Sequence, residues 1–187
     1  MGLRERLRGL IGFFRRTERS VQQHTRESVD HVILLDGTMS TLDEGDETNI
    51  GLIYKLLAEA AQSNRIGLLY EAGTQWSDWS KTLDIIEGRG INRQIQRAYG
   101  WLASRYRPGD RIFLIGYSRG AYAVRSLAGV IDKIGLVRSD CATERMVREA
   151  YKHYQMDTDP LIAKVFSDAH CHADVPIEMI GVFDTVK

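Results

Sequence analysis

The stretch RIFLIGYSRGAYAVR, residues 111–125, decides the fold of this chain. Its first five residues are mostly apolar and favour a β-strand, and residues 116–120 then read Gly-Tyr-Ser-Arg-Gly. Small, helix-tolerant residues follow from Ala121 to Ala128. This order predicts a strand, a tight turn and a helix, with Ser118 at the tip of the turn.

The G-x-S-x-G spacing around Ser118 has a physical reason. A sharp turn from strand to helix strains the central serine and crowds its neighbours, so Gly116 and Gly120 remove side chains that would clash. The hydroxyl of Ser118 would then stand at the carboxyl end of the strand, with the backbone N–H of Arg119 directed at an oxyanion. In this setting we interpret Ser118 as a nucleophile rather than as part of a structural turn.

Apolar runs alternate with helical patterns along the rest of the chain. Four of these runs are predicted strands: His31–Leu35, Ile66–Tyr70, Arg111–Ile115 and Ile177–Phe183. The alternation predicts an α/β fold, a mainly parallel sheet with helices on both faces. Ligands of such sheets bind at the carboxyl ends of the strands, and Gly37, Ser118 and Asp184 all fall at such ends.

Composition indicates an ordinary globular protein. The 187 residues suit one domain, and 43% hydrophobic and 27% charged residues are typical of such a domain. A formal net charge of 0 gives no indication of nucleic-acid binding. Two cysteines are too few for a disulfide scaffold, and the sequence shows no secretory signal. We therefore expect a cytoplasmic protein, or one secreted without a signal peptide.

Residues 1–30 form a distinct basic segment ahead of the domain at residues 31–187. Apolar residues recur there at helical spacing, and arginines surround them: Leu3, Leu7, Leu10, Ile11 and Phe14, with Arg4, Arg6, Arg8, Arg15 and Arg16. A basic amphipathic helix of this kind can lie on a membrane surface or contact a partner. The competing interpretation is a helix that packs on the domain or frays as a tail.

Three further features were weighed as candidate sites. The acidic loop Thr38–Glu47 has no cation-ligand spacing, and His170-Cys171-His172, on a predicted loop, has no second cluster to complete a zinc site. We therefore predict neither a metal nor a cofactor. Trp76 and Trp79 either line a substrate mouth or pack over the sheet.

Several motifs in order along the chain resemble a known family. They read LDGT at 35–38, TNI at 48–50, YEAGT at 70–74, YRPGDRIFLIGYSRGAYAVR at 106–125 and VPIEMIGVFDTV at 175–186. Together they resemble the α/β-hydrolase domain family of unknown function that includes the Tle-type phospholipase effectors of type VI secretion. One departure is Ala72, where the family tends to carry a second glycine. The resemblance and right-handed crossovers predict the strand order 66–70, 31–35, 111–115, 177–183, all parallel.

The resemblance implies a serine hydrolase that acts on carboxylic esters, with lipids or phospholipids as substrates. It implies Asp184 as the acid that orients a histidine, whereas a helix-capping or turn role for Asp184 is the competing interpretation. The backbone N–H of Gly37 or Thr38, with that of Arg119, would form the oxyanion hole. Asp36 would hold that loop in shape.

The catalytic base is the missing part of this scheme. All five histidines precede Asp184, although the family places its histidine after the acid: His24, His31, His153, His170 and His172. We therefore expect the domain to be truncated before its histidine, which would lie beyond Lys187. The alternative hypothesis is a non-catalytic α/β module that binds a partner or a membrane surface.

Overall fold

The computed structural model describes residues 26–62, 64–73 and 89–186. Most of the basic segment at residues 1–30, together with Trp76 and Trp79, lies outside these ranges. Nine elements follow one another in the described chain: β1 (Asp30–Leu35), α1 (Asn49–Ala61), β2 (Ile66–Glu71), α2 (Arg89–Ala103), β3 (Arg111–Tyr117), α3 (Arg119–Lys133), α4 (Glu144–Gln155), α5 (Pro160–His170) and β4 (Met179–Phe183).

The four strands form one parallel sheet in the order β2-β1-β3-β4. Leu35, the last residue of β1, lies between Glu71 of β2 and Gly116 of β3. The predicted α/β fold, strand order and strand direction are therefore confirmed. The strand bounds differ by one or two residues: β1 begins one residue earlier than predicted, β2 and β3 end at Glu71 and Tyr117, and β4 begins at Met179 rather than at Ile177.

Alternating side chains of the central strands supply two separate cores. Ile33 and Leu35 of β1, with Leu114 of β3, belong to a large buried cluster with α2, α3, α4 and α5. The intervening Val32 and Leu34 face the other side, where they pack with Ile50 of α1. Helices therefore cover both faces of the sheet, as the near-continuous apolar strands require.

Local caps fix where the helices begin. Thr48 accepts a hydrogen bond from the amide of Gly51 and starts α1, and Thr143 accepts one from Met146 and starts α4. Asp159 caps α5, with Pro160 in its first turn. Helix α5 was missed from the sequence, so the predicted loop position of His170 is wrong, because His170 ends this helix.

Asp110 joins the start of β1 to the turn before β3. Its carboxylate accepts hydrogen bonds from the backbone amides of Val29 and Arg107, at 2.9 and 3.0 Å, and lies 3.0 Å from Nε2 of His31. Arg26 adds an ion pair at 3.3 Å. Burial opposes the charged form of Asp110, but these donors outweigh it and hold the pKa of this carboxyl below its ordinary value.

Within the described ranges, no helix combines the length and the apolar character needed to cross a membrane.

Candidate active site

The order of the strands creates a crevice between β1 and β3. From β1 the chain crosses to β2 on one side, whereas from β3 it continues to β4 on the other side. Asp36 and Gly37 follow β1, and Ser118 follows β3, so both loops open at this crevice. Parallel sheets bind ligands at such a switch point, outside the carboxyl ends of their strands.

Ser118 occupies the single residue between β3 and α3. Its φ of 54° and ψ of −119° confirm the positive φ that the sequence predicts for this turn. Such a backbone is unusual for a residue with a side chain and costs on the order of 1–3 kcal/mol. Although Ser118 stands at the N-cap of α3, its side chain makes no capping hydrogen bond. The position is therefore strained, and the helix start does not use the hydroxyl.

Glycines allow the close backbone approach around this turn. A Cβ on Gly120 would collide with the carbonyl oxygen of Leu35, and a Cβ on Gly116 would collide with that of Gly120. On the facing loop, a Cβ on Gly37 would lie 2.9 Å from the ring of Tyr117. The reason that the sequence gives for Gly116 and Gly120 is thus seen directly in their contacts.

Asp184 lies beside the Ser118 turn at the end of β4. The amide of Ser118 donates to the carbonyl oxygen of Phe183 at 2.9 Å, and the amide of Val186 donates to the carbonyl oxygen of Ser118 at 3.3 Å. Asp184 therefore sits between two residues that hydrogen-bond to the Ser118 backbone. It is exposed and has a φ of 43°, which is also uncommon for a residue other than glycine.

Asp36 organises the loop that faces Ser118. Its carboxylate is fully buried and accepts hydrogen bonds from the amide of Gly37 at 2.8 Å, the hydroxyl of Thr48 at 2.7 Å and the hydroxyl of Tyr70 at 2.9 Å. Burial, followed by the hydrogen bond to Asp36, raises the pKa of Tyr70 above its ordinary value. Tyr70 thus stays protonated and continues to donate. These bonds support the predicted role of Asp36 in shaping the loop.

The carbonyl oxygen of Gly37 ties the first loop to the second. It accepts from the amide of Gly73 at 3.1 Å and from the hydroxyl of Ser40 at 2.6 Å. A Cβ on Gly73 would collide with this same oxygen. The sequence favours Gly73 as a turn residue, but only the fold reveals that β2 brings it against the β1 loop.

The backbone amides of Gly37 and Thr38, the two alternatives for the first oxyanion donor, differ in whether they already donate a hydrogen bond. The amide of Gly37 already donates to Asp36, so it is engaged within its own loop. Across the described residues, no acceptor contacts the amide of Thr38. Arg119 is the first residue of α3, and the first amides of a helix have no carbonyl acceptor within that helix. Of the predicted donors, the amides of Thr38 and Arg119 are therefore the two that meet no acceptor among the described residues.

The described histidines all lie away from Ser118. His31 contacts Asp110, and His172 packs edge-on against Tyr106 at 5.1 Å between ring centroids. His153 and His170 both pack against the ring of Phe166. Burial and the nearby Arg138 lower the pKa of His172, so its ring is neutral at pH 7. None of these four rings contacts Ser118 within the described part of the chain.

Metal-binding residues are not grouped in the described ranges, where no three histidine, cysteine or acidic side chains could together hold an ion. Glu47 of the acidic loop forms an ion pair with Lys55 instead.

The sequence does not predict a role in the site for three residues of the loop network, Ser40, Thr48 and Tyr70. Thr48 and Tyr70 lie within the LDGT-to-YEAGT region, but their shared acceptor, Asp36, is apparent only once β1 and β2 are paired.

Two comparisons with known proteins find sequences similar to this chain. A family model described as "T6SS, Phospholipase effector Tle1-like, catalytic domain" matches residues 30–187. The chain is also 28% identical over 190 residues to an uncharacterised protein of Saccharomyces cerevisiae, YEL023C. That alignment covers 88% of this chain and 27% of the yeast protein, so the chain spans only a minor part of this curated relative. No solved structure matches the chain.

Proposed function

The chain belongs to the family of Tle1-like phospholipase effector catalytic domains, and from this premise we propose that Ser118 is the nucleophile of a carboxylic-ester hydrolase. The family indicates phospholipase or lipase-type hydrolysis in general. The proposal adds the reacting residue and the bond that is cleaved, an acyl ester of a lipid or phospholipid.

The conformation of Ser118 is the observation that carries this proposal. A serine that served only to cap α3 would adopt an extended backbone and accept from an amide in the first turn, as Thr48 and Thr143 do. Ser118 does neither, because its φ is 54° and its side chain makes no capping bond. A strained serine between a parallel strand and a helix is the arrangement that exposes a nucleophile.

The proposed reaction follows the serine hydrolase pattern. Oγ of Ser118 attacks the acyl carbon while a histidine takes the hydroxyl proton, and the carbonyl oxygen becomes an oxyanion. The amides of Arg119 and Thr38 stabilise that oxyanion. The intermediate collapses to an acyl-serine as the alcohol leaves with the proton, and water then releases the fatty acid by the same steps. Asp184 is the proposed acid, which holds the histidine in the correct tautomer and orientation.

We place the histidine outside the described residues. The rings of His31 and His172 lie near Tyr106 in one cluster, and those of His153 and His170 pack on Phe166 in another. None of these positions borders the crevice between β1 and β3. The expectation that the base follows Asp184 in sequence stays a prediction.

Hydrolysis of a p-nitrophenyl ester tests this assignment. We expect slow turnover, because none of the four described histidines contacts Ser118, and a site without its base in place loses about 10⁴–10⁶ in kcat while the oxyanion hole retains part of the acceleration. Ser118→Ala should remove this residual turnover, whereas Ser139→Ala, in an exposed turn, should leave it unchanged. His170→Ala and His172→Ala should also leave it unchanged.

Two results would contradict the proposal. Turnover that survives Ser118→Ala would exclude Ser118 as the nucleophile and favour a non-catalytic α/β module with adventitious esterase activity. Efficient turnover that either histidine substitution stops would place the base among the described residues and would overturn the mechanism above.

A further inference from the structure

An open cavity lies at the amino ends of the strands, on the edge of the sheet opposite Ser118. Its volume is about 510 Å³, and it is bordered by residues that precede β1 and β2 and by the turn that follows α2. Among the described residues, four arginines and no acidic residue line it: Arg26, Arg65, Arg105 and Arg107. The cavity therefore concentrates positive charge in a protein whose formal net charge is 0.

Nearby carboxylates neutralise only part of this charge. Arg65 pairs with the exposed Glu27 at 2.8 Å, and Arg26 shares Asp110 with His31. Arg105 lies over the ring of Trp101 at 4.7 Å and donates to its carbonyl oxygen. Arg105 therefore donates one of its hydrogen bonds to a carbonyl group at the carboxyl end of α2.

Arg107 has a different environment. Its guanidinium meets no hydrogen-bond or ion-pair partner among the described residues, and its side chain is in an exposed turn. Each guanidinium carries five N–H donors, so Arg26 and Arg65 also retain donors after forming their ion pairs. The cavity thus offers several unused cationic donors to a single ligand.

His31 supplies a second and independent observation. It also lines the cavity, and only 2% of its surface is exposed. Nε2 contacts Asp110, whereas the buried Nδ1 has no hydrogen-bond partner in the described part of the chain. Nδ1 faces Gly67, which borders the same cavity, and a Cβ on Gly67 would lie 2.8 Å from it. A buried polar atom without a partner generally marks a group that is satisfied by something else.

The geometry points to a binding site for a phosphate group in this cavity, separate from the proposed catalytic crevice. Planar guanidinium groups match the oxygens of a phosphate, and several of them converge here without acidic competitors in the lining. The phosphate is carried either by a soluble molecule or by the headgroup of an anionic phospholipid, since both present the same oxygens.

Titration of the full chain with inorganic phosphate, followed by amide NMR, tests the site. We expect the amides of His31 and Gly67 to shift in the unmodified chain. The double substitution Arg65→Gln/Arg107→Gln should weaken this binding by about tenfold or more, because each removes charge-assisted hydrogen bonds. Arg148→Gln is the matched control, since Arg148 is an exposed arginine on α4 that pairs with Glu144 on the same helix.

Vesicle binding distinguishes the two sources of the phosphate. Vesicles of phosphatidylcholine with and without phosphatidic acid are compared for the same three proteins. If the double substitution selectively reduces binding to the phosphatidic acid vesicles, the site takes a lipid headgroup. If it reduces only binding of inorganic phosphate, the site takes a soluble phosphate.

The proposal is wrong if neither ligand shows a difference between the double substitution and Arg148→Gln. It is also wrong if phosphate shifts amides elsewhere but leaves His31 and Gly67 unaffected. Ser118-dependent hydrolysis of a soluble ester should be the same in all three proteins, so this result is independent of the proposed function.

Discussion

At the scale of single residues, the crevice depends on backbone atoms that only glycine brings close enough. Gly120 lets the first turn of α3 approach the end of β1, and Gly73 lets the β2 loop approach Gly37. Asp36 then fixes the β1 loop with three donors. Positions without side chains and one buried carboxylate therefore set the distance between Ser118 and the loop opposite.

Replacing Gly120 with alanine should destabilise the fold. The new Cβ would meet the carbonyl oxygens of Leu35 and Asp36, which are backbone atoms and cannot move aside cheaply. We expect a loss of about 3 kcal/mol in the free energy of unfolding, measured by urea denaturation. In Gly100→Ala, within α2, the new Cβ would lie 3.3 and 3.8 Å from the two methyl groups of Val147, so stability should change by less than about 1 kcal/mol. Equal losses in the two variants would contradict the close approach.

Tyr70→Phe tests the support that Asp36 receives. The substitution removes one of three donors to a fully buried carboxylate, so it should cost about 1–3 kcal/mol of stability. Tyr54→Phe is the matched control, because Tyr54 stacks on Tyr70 at 4.9 Å between ring centroids but does not donate to Asp36. If both variants unfold at the same urea concentration as the unmodified chain, the hydrogen bond from Tyr70 contributes nothing.

At the scale of elements, two kinds of connection hold the sheet in register. At the carboxyl edge the loops hydrogen-bond in two pairs, those after β1 and β2 through Gly37 and Gly73, and those after β3 and β4 through Ser118 and Val186. At the amino edge the side chain of Asp110 bonds to the segment before β1 and to the turn before β3, and an exposed ion pair joins Asp30 of β1 to Arg111 of β3. The alignment of β1 with β3 should therefore depend strongly on Asp110.

Asp110→Asn should lower stability in a pH-dependent way. At pH 7 we expect a loss of about 3 kcal/mol, because His31 and Arg26 lose a buried charged partner. The folded-state pKa of Asp110 lies below its ordinary value of 3.8, so its contribution is present above that pH and is lost as the pH falls further. The difference between variant and unmodified chain should thus shrink below about pH 3.8.

Urea denaturation at several pH values measures this difference. Asp168→Asn serves as the control, since Asp168 is an exposed partner of Lys164 in the same helix and should contribute less than about 1 kcal/mol. A loss for Asp110→Asn that stays constant down to pH 3 would show that the charge of Asp110 is not what stabilises the fold.

At the scale of the whole molecule, the sequence predicts the α/β architecture because apolar strands and amphipathic helices alternate along it. The same patterns miss α5, although Asp159 and Pro160 are a recognisable helix start. Leu56 continues the helical spacing of apolar residues in α1, but its side chain is 68% exposed beside an apolar groove. The spacing of apolar residues predicts which face of a helix points inward, but not how much of that face other residues cover.

In the candidate site too, the features formed by neighbouring residues are predictable from the sequence, whereas those formed by residues far apart in the chain are not. The geometry of Ser118 follows from a short motif, because strand, turn and helix are contiguous in sequence. The network around Asp36 joins residues up to 34 positions apart, so it becomes visible only when β1 and β2 are paired. The arginine-lined cavity was likewise inaccessible from sequence, since three separate segments form it.

The most direct test of the nucleophile is to treat the 187-residue chain with a fluorophosphonate and map the adduct by peptide mass spectrometry. The oxyanion donors and the strained turn do not require the histidine, so residual reactivity should still be concentrated at Ser118. We predict that Ser118 is modified at least about tenfold faster than any other serine, and that Ser118→Ala removes that adduct. Labelling spread evenly over the serines, or concentrated at a different residue, would contradict the assignment of Ser118 as the nucleophile.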